Sequence, residues 1–218
     1  SGDVIVHAWS SASITALVGA ASGAVSGGIA AAAGAMGVSI ARNLVGRNAV
    51  DDATGLLNQV LAYVENSTVI SEGDVWIEAT STDTTSAVSF AGSVAIAAGV
   101  GGAAAGSGAE AINRHSSKIH AFVLDSTVQA GLSIDVRAIS DSRITQASAI
   151  GAALSASLAA TSVAASVVRN DIRNEVRAQL GTDQAAEISA RGNVTVAALA
   201  LQAGIRDVTA VTASVSAG

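Results

Sequence analysis

The chain has no cysteine and no proline in 218 residues, and only 2% of it is aromatic. The first absence removes disulfides and thiolate metal sites and leaves the redox compartment open. The second suits regular elements that no imino ring interrupts. The third, with a single Met, means that the hydrophobic half of the sequence is mostly Ala with Val, Ile and Leu. Such small side chains have little to interdigitate, so a core made of them must bring backbones close together. Charge is also scarce, at 13% of residues with a net of −6. An acidic balance argues against nucleic acid as a partner, and the hydrophobic half excludes disorder driven by excess charge. The opening SGDVIVHA is already strand-like and lacks the basic start and short apolar centre of a signal peptide.

What is present is a repeat. GDVIVHA, GDVWIEA, LSIDVRA and GNVTVAA share a frame, in which Val4, Val75, Ile134 and Val194 are spaced 71, 59 and 60 residues apart. A second landmark is Asn43, Asn113 and Asn170, each near the end of an uncharged tract. Asn113 and Asn170 precede Ala121 and Ala178 by eight residues, whereas Asn43 precedes Ala62 by 19, so the first copy carries an insertion near 44–58. The turn-like ENSTVISEGDV around Ser67 is matched by LDSTVQAGLSI around Ser126, and more loosely by GTDQAAEISARGNV. The reading is one elongated repeat domain over 1–218. Its copies lie at about 2–72, 73–131 and 132–191, with a partial fourth at 192–218.

Each copy has two halves. Around QVLAYVENSTVISEGDVWIEATS, short bursts alternate apolar and polar residues between Asn-Ser, Asp-Ser or Gly, which reads as strands of a parallel solenoid coil. The other half is an uncharged small-residue tract, at 8–41, 84–109 and 144–168. In the first tract Ile14, Val18, Val25, Ile29, Met36, Ile40 and Leu44 form a helical stripe. In the third, Ile150, Leu154, Leu158, Val168, Ile172 and Val176 do so. The second is ambiguous, because Val88, Phe90, Val94, Ile96 and Val100 all fall on even positions. The predicted fold is therefore a mixed α and β repeat protein, with parallel β-solenoid-like strands and one long Ala/Gly-rich helix per repeat of about 60 residues. The alternative is an all-β solenoid. Arg42, Arg114 and Arg169 would sit at the helix C-termini. A face of Ala and Gly is expected to pack against a backbone, so that enlarging Gly99 or Ala103 hurts more than enlarging Ser89, read as outward.

The small-residue tract ending near Asn, followed by V-x-A-x-V, D-S-T-V-x-A and G-x-V-x-V-x-A, resembles a repeat of giant bacterial surface proteins. These are long adhesin-like, filamentous-haemagglutinin-like extracellular chains with alanine-rich repeats. The resemblance spans Gly2 to Gly218. It implies a secreted, non-enzymatic structural module used as stalk, filament or coat at the bacterial cell surface, without implying a ligand.

The search for chemistry yields no catalytic, cofactor or metal site. His7 and His120 occupy similar strand positions before Ala8 and Ala121; they could stack one coil apart, but the reading is of outward-facing surface residues that happen to align. Asp51 and Asp52 solvate the insertion, and Glu65 and Asp125 precede Ser-Thr pairs at turns. GVGGAAAGSG lacks the G-K-[ST] ending of a phosphate loop. Asn43, Asn113 and Asn170 are assigned a structural role, either as caps or as a ladder of stacked amides. Two functions follow. One is a structural or adhesive module whose partners are neighbouring repeats or head-to-tail copies, the chain being read as a slice of a longer array. The other is a membrane-active protein whose small-residue helices oligomerise.

Overall fold

The computed structural model describes residues 2–46, 58–181, 187–201 and 204–218. These residues form strands and tight turns and contain no helix. In chain order the strands are β1 (Val4–Gly27), β2 (Ala33–Val45), β3 (Asn58–Glu65), β4 (Thr68–Ser71), β5 (Val75–Ala98) and β6 (Gly102–Leu124). They continue as β7 (Thr127–Ala130), β8 (Ile134–Ala156), β9 (Ala159–Leu180), β10 (Ile188–Ala190), β11 (Val194–Ala200), β12 (Gly204–Ile205) and β13 (Val208–Ala217).

All pairing is parallel, in three sheets. The first runs β1, β5, β8, with β11, β12 and β13 in succession along β8. The second has β2 and β3 end to end along β6, with β9 on its other side. The third is a small sheet of β4, β7 and β10. Each circuit uses a long strand of the first sheet, a long strand of the second and four or fewer residues of the third, then returns one strand further along the stack. This winding fits a parallel β-solenoid.

The stacking register follows the sequence landmarks. Val4, Val75, Ile134 and Val194 are successive cross-strand partners, as are Asn43, Asn113 and Asn170, and Ala62, Ala121 and Ala178. Most of the first-copy insertion, Asp51 and Asp52 included, lies outside the described residues. The 24 residues of β5 extend over about 80 Å at ~3.3 Å per residue, whereas adjacent coils are only ~4.8 Å apart. The long dimension of this molecule thus lies along its strands.

Two kinds of core fill the space between the long sheets. At the end closed by the small sheet, Ile77, Ile119, Val123, Val128, Ile134 and Val136 are completely buried. There the third sheet holds the other two apart and leaves room for branched side chains. At the distal end nothing separates the two long sheets, and the filling is alanine: Ala95, Ala103, Ala105 and Ala153 in one cluster, Ala41, Ala87, Ala111 and Ala149 in another.

The predicted helices are strands. Each small-residue tract is two strands in opposite sheets joined by a turn, at residues 28–32, 99–101 and 157–158. The apparent helical stripe mixes faces, since Ile14 and Val18 point inward whereas Val25, Met36 and Ile40 point outward. The real period is two, and along the distal half of β5 it sorts side chains by size rather than polarity: Ala and Ser inward, Val, Ile and Phe outward. Glycines that cost a helix about 1 kcal/mol each serve here as turns and as close backbone contacts. Arg42, Arg114 and Arg169 sit mid-strand rather than at helix ends. Arg42 and Arg169 both reach Glu110, at 3.2 and 3.8 Å.

The turn into the small sheet uses left-handed backbone at Asn66 (φ 47°) and Asp125 (φ 46°). Asn and Asp tolerate this region because their short polar side chains bond locally. Asp125→Val is expected to cost about 1–2 kcal/mol relative to Asp125→Gly, which frees the same turn from side-chain strain. Urea titration of the two variants checks the difference.

Candidate interaction surface

Inward-facing polar residues form two buried layers. In the first, Asn43 Nδ2 donates to Asn113 Oδ1 at 2.9 Å, and Asn113 Nδ2 donates to Asn170 Oδ1 at 3.0 Å. Asn43 also reaches across to the carbonyl of Ser86 at 2.6 Å, and Asn113 to that of Gln146 at 3.4 Å. The ladder therefore ties the second sheet to the first at the place where the β5–β8 register shifts. Every amide points the same way along the stack. Asn43 Oδ1 is buried and has no hydrogen-bond partner among the described residues. Asn113→Ala is expected to cost about 1–3 kcal/mol, because it leaves the buried Asn43 amide and the half-buried Asn170 amide each short of a partner. Asn170→Ala, at one end of the ladder, costs less. Thermal melts of the two variants separate these values.

The second layer was not visible in the sequence. His115 on β6 meets Asp83 on β5, with Nε2 3.2 Å from Asp83 Oδ2. Ser117 Oγ and Ser142 Oγ lie 3.0 and 3.2 Å from the same nitrogen. Ser81 Oγ donates to Asp83 Oδ2 at 2.6 Å, and Asn174 Nδ2 donates to Ser140 and Ser142 at 2.9 and 2.8 Å. Burial pushes the Asp83 carboxyl up, but hydrogen bonds from His115 and Ser81 and the attraction of His115 outweigh it and hold the group below the ordinary aspartate value. A serine, a histidine and an aspartate are together here, yet hydroxyls and carboxylate share one ring nitrogen. A proton relay needs them on opposite nitrogens. With side-chain exposures of 3% for His115 and 0% for Asp83, the cluster is an interior brace between the long sheets. The available signal was parity: Val75, Ile77, Ala79, Ser81 and Asp83 occupy alternate inward positions of one strand.

His7 and His120 do not stack, and only His7 is the surface residue expected of both, since His120 is buried. His7 pairs beside Glu78 in the first sheet, at 3.5 Å, whereas His120 lies in the second, 2.9 Å from Glu175. The same x-His-Ala string recurs in the two halves of a coil, and topology sends the halves to different sheets. Burial, the larger effect, holds His120 below the ordinary histidine value, although Glu175 acts in the opposite sense.

The outer faces reverse the usual arrangement. Toward the distal end the interior holds Ser93, Ser107 and Ser155, whose buried hydroxyls have no partner among the described residues. The outside carries Leu17, Val25, Phe90, Val94 and Leu154, exposed by 39–79%. The turns are apolar too, with Ile29, Val100 and Leu158 exposed by 92, 75 and 72%. On the outside of the first sheet this apolar surface has relief. Ala21, Gly92, Ala152 and Ala213 stack into the floor of a trough of about 310 Å³ that runs across the strands. Phe90, Ile150 and Val211 form one wall; Val94, Leu154 and Val215 form the other. The nearest outward charges of the central strands, Arg143 and Asp141, are paired with each other at 2.7 Å.

Compared with known protein families, characterised proteins and solved structures, the chain matches none.

Proposed function

We propose that the chain is a structural, adhesive repeat module of a bacterial extracellular or cell-surface protein, a β-solenoid segment that builds a stalk, filament or coat by stacking. The observation that carries this reading is the in-phase stacking of equivalent residues across every coil, with no lateral slip at Val4–Val75–Ile134–Val194 or at the asparagine ladder. A surface built this way presents long parallel edges, which pair with further coils or other copies. The asparagine ladder adds polarity, because its single direction leaves an acceptor at Asn43 facing one end of the stack. That polarity suits head-to-tail addition, in which one stack's last amide meets the next one's first. The oligomerising helices that a membrane-active reading requires are absent from the described residues.

Growth along the stack is slow per residue: a coil of about 60 residues adds only ~4.8 Å. Electron microscopy of tandem fusions is therefore expected to show particles whose strand-wise width stays near 80 Å while their other dimension lengthens by ~5 Å per added coil. Beads on a string, with one compact particle per unit, would reject the stacking reading.

A further inference from the structure

We infer that the apolar outer face of the first sheet is an interface with a second copy of this chain, and that it zips copies side by side through the trough floored by Gly92 and Ala152. This pairing is lateral and uses a different surface from the stacking edges, so its failure would leave the stacking reading intact.

The extent of the face is the first argument. From the Leu17–Val88 level to the distal turn it runs about ten residues along four strands, or roughly 33 Å by 19 Å. Two copies joined across it bury on the order of 1,200 Å², the lower bound for a specific protein interface. Its width of at least four strands also exceeds that of the second sheet's outer face, where the Arg42–Glu110–Arg169 charges intrude.

The relief is the second argument. On β5, β8 and β13 a column of small residues lies between two columns of large ones, each two residues away along the strand, which is about 7 Å, while β1 carries Gly19 and Gly23 at the wall positions. A wall of one copy therefore has the spacing needed to seat in the trough of another. A two-fold axis along the stacking direction, midway between trough and wall, places Val94 and Leu154 of each copy over Gly92 and Ala152 of the other. Facing sheets that interdigitate in this way pack about 10 Å apart. Because the axis lies along the stack, both copies grow in the same direction, and every added coil extends the contact.

The absence of cysteine makes the test direct. Single-cysteine copies Ala152→Cys and Leu154→Cys are mixed under mild oxidation and compared with each alone, and sedimentation equilibrium is run on the unmodified chain and on Gly92→Leu. A Cβ at Gly92 meets nothing within 4 Å, so that variant fills the trough without disturbing the fold. The expected results are association on the order of micromolar, at least tenfold weaker in Gly92→Leu, and mixed disulfide dimers in excess over either self-dimer. Association untouched by Gly92→Leu without mixed disulfides would place the contact at the strand edges and overturn the proposal. So would a monomer at all concentrations, or a chain that floats with neutral phosphatidylcholine vesicles without dimerising.

Discussion

Gly37→Val is expected to destabilise the protein by about 3 kcal/mol or more, at or above the usual range for overpacking, while Gly34→Val, three residues away, changes stability by less than about 0.5 kcal/mol. Both glycines lie on β2, and parity separates them. Gly37 is buried, and a Cβ built on it falls inside the contact radius of the Gly92 carbonyl oxygen on the facing sheet. That oxygen belongs to a backbone held on both sides by strand partners, so it cannot move away. Gly34 faces outward with nothing within 4 Å. Denaturant titration of the two variants checks the contrast, and equal losses would mean that the sheets do not approach closely. The sequence suggested Gly99 and Ala103 for this role, with Ser89 as an outward control. Gly99 is a turn residue at φ 133° whose added Cβ would collide with the Gly28 carbonyl oxygen, and Ala103 is buried, but Ser89 is fully buried as well, with its hydroxyl 2.8 Å from that of Ser39. Ser89 cannot serve as a control.

His115→Gln is expected to cost about 1–3 kcal/mol or more, because it removes the ring nitrogen that Asp83, Ser117 and Ser142 share and leaves buried polar groups short of a partner. Adding Asp83→Asn to that variant is expected to recover about half of the loss, because the remaining groups are neutral and hydrogen-bonded. The pair also carries a pH signature. Asp83 is held below its ordinary value in the folded state, so its stabilisation is full above the unfolded-state value and disappears as pH falls through the lower folded-state one. The stability gap between the unmodified chain and Asp83→Asn should therefore shrink as pH falls below the ordinary aspartate value of about 4. Urea melts across that range measure it. A gap that widens on acidification would show that the carboxyl is neutral in the folded protein.

The sequence alone determined the repeat and its register. Stacked coils place each residue on its own equivalent, so a spacing such as Val4 to Val75 to Ile134 is at once a sequence period and a hydrogen-bonded neighbourhood. The same logic made Asn43, Asn113 and Asn170 conspicuous, since an amide that recurs at one position can bond to itself from coil to coil. The form of the small-residue tracts was decided only by the tertiary structure. Patterns of polarity announce an amphipathic helix or strand, but here both faces are largely apolar, so the spacings of 4 and 7 residues between Ile14, Val18 and Val25 imitate a helix. What selects the strand is the facing sheet, against which Gly37 and Ala103 must fit, and the neighbouring coil, which supplies the hydrogen bonds that a helix would make internally. The His115–Asp83 brace was hidden for the same reason. Its two halves lie 32 residues apart on strands of opposite sheets, and only the closing of those sheets brings the imidazole and the carboxylate together.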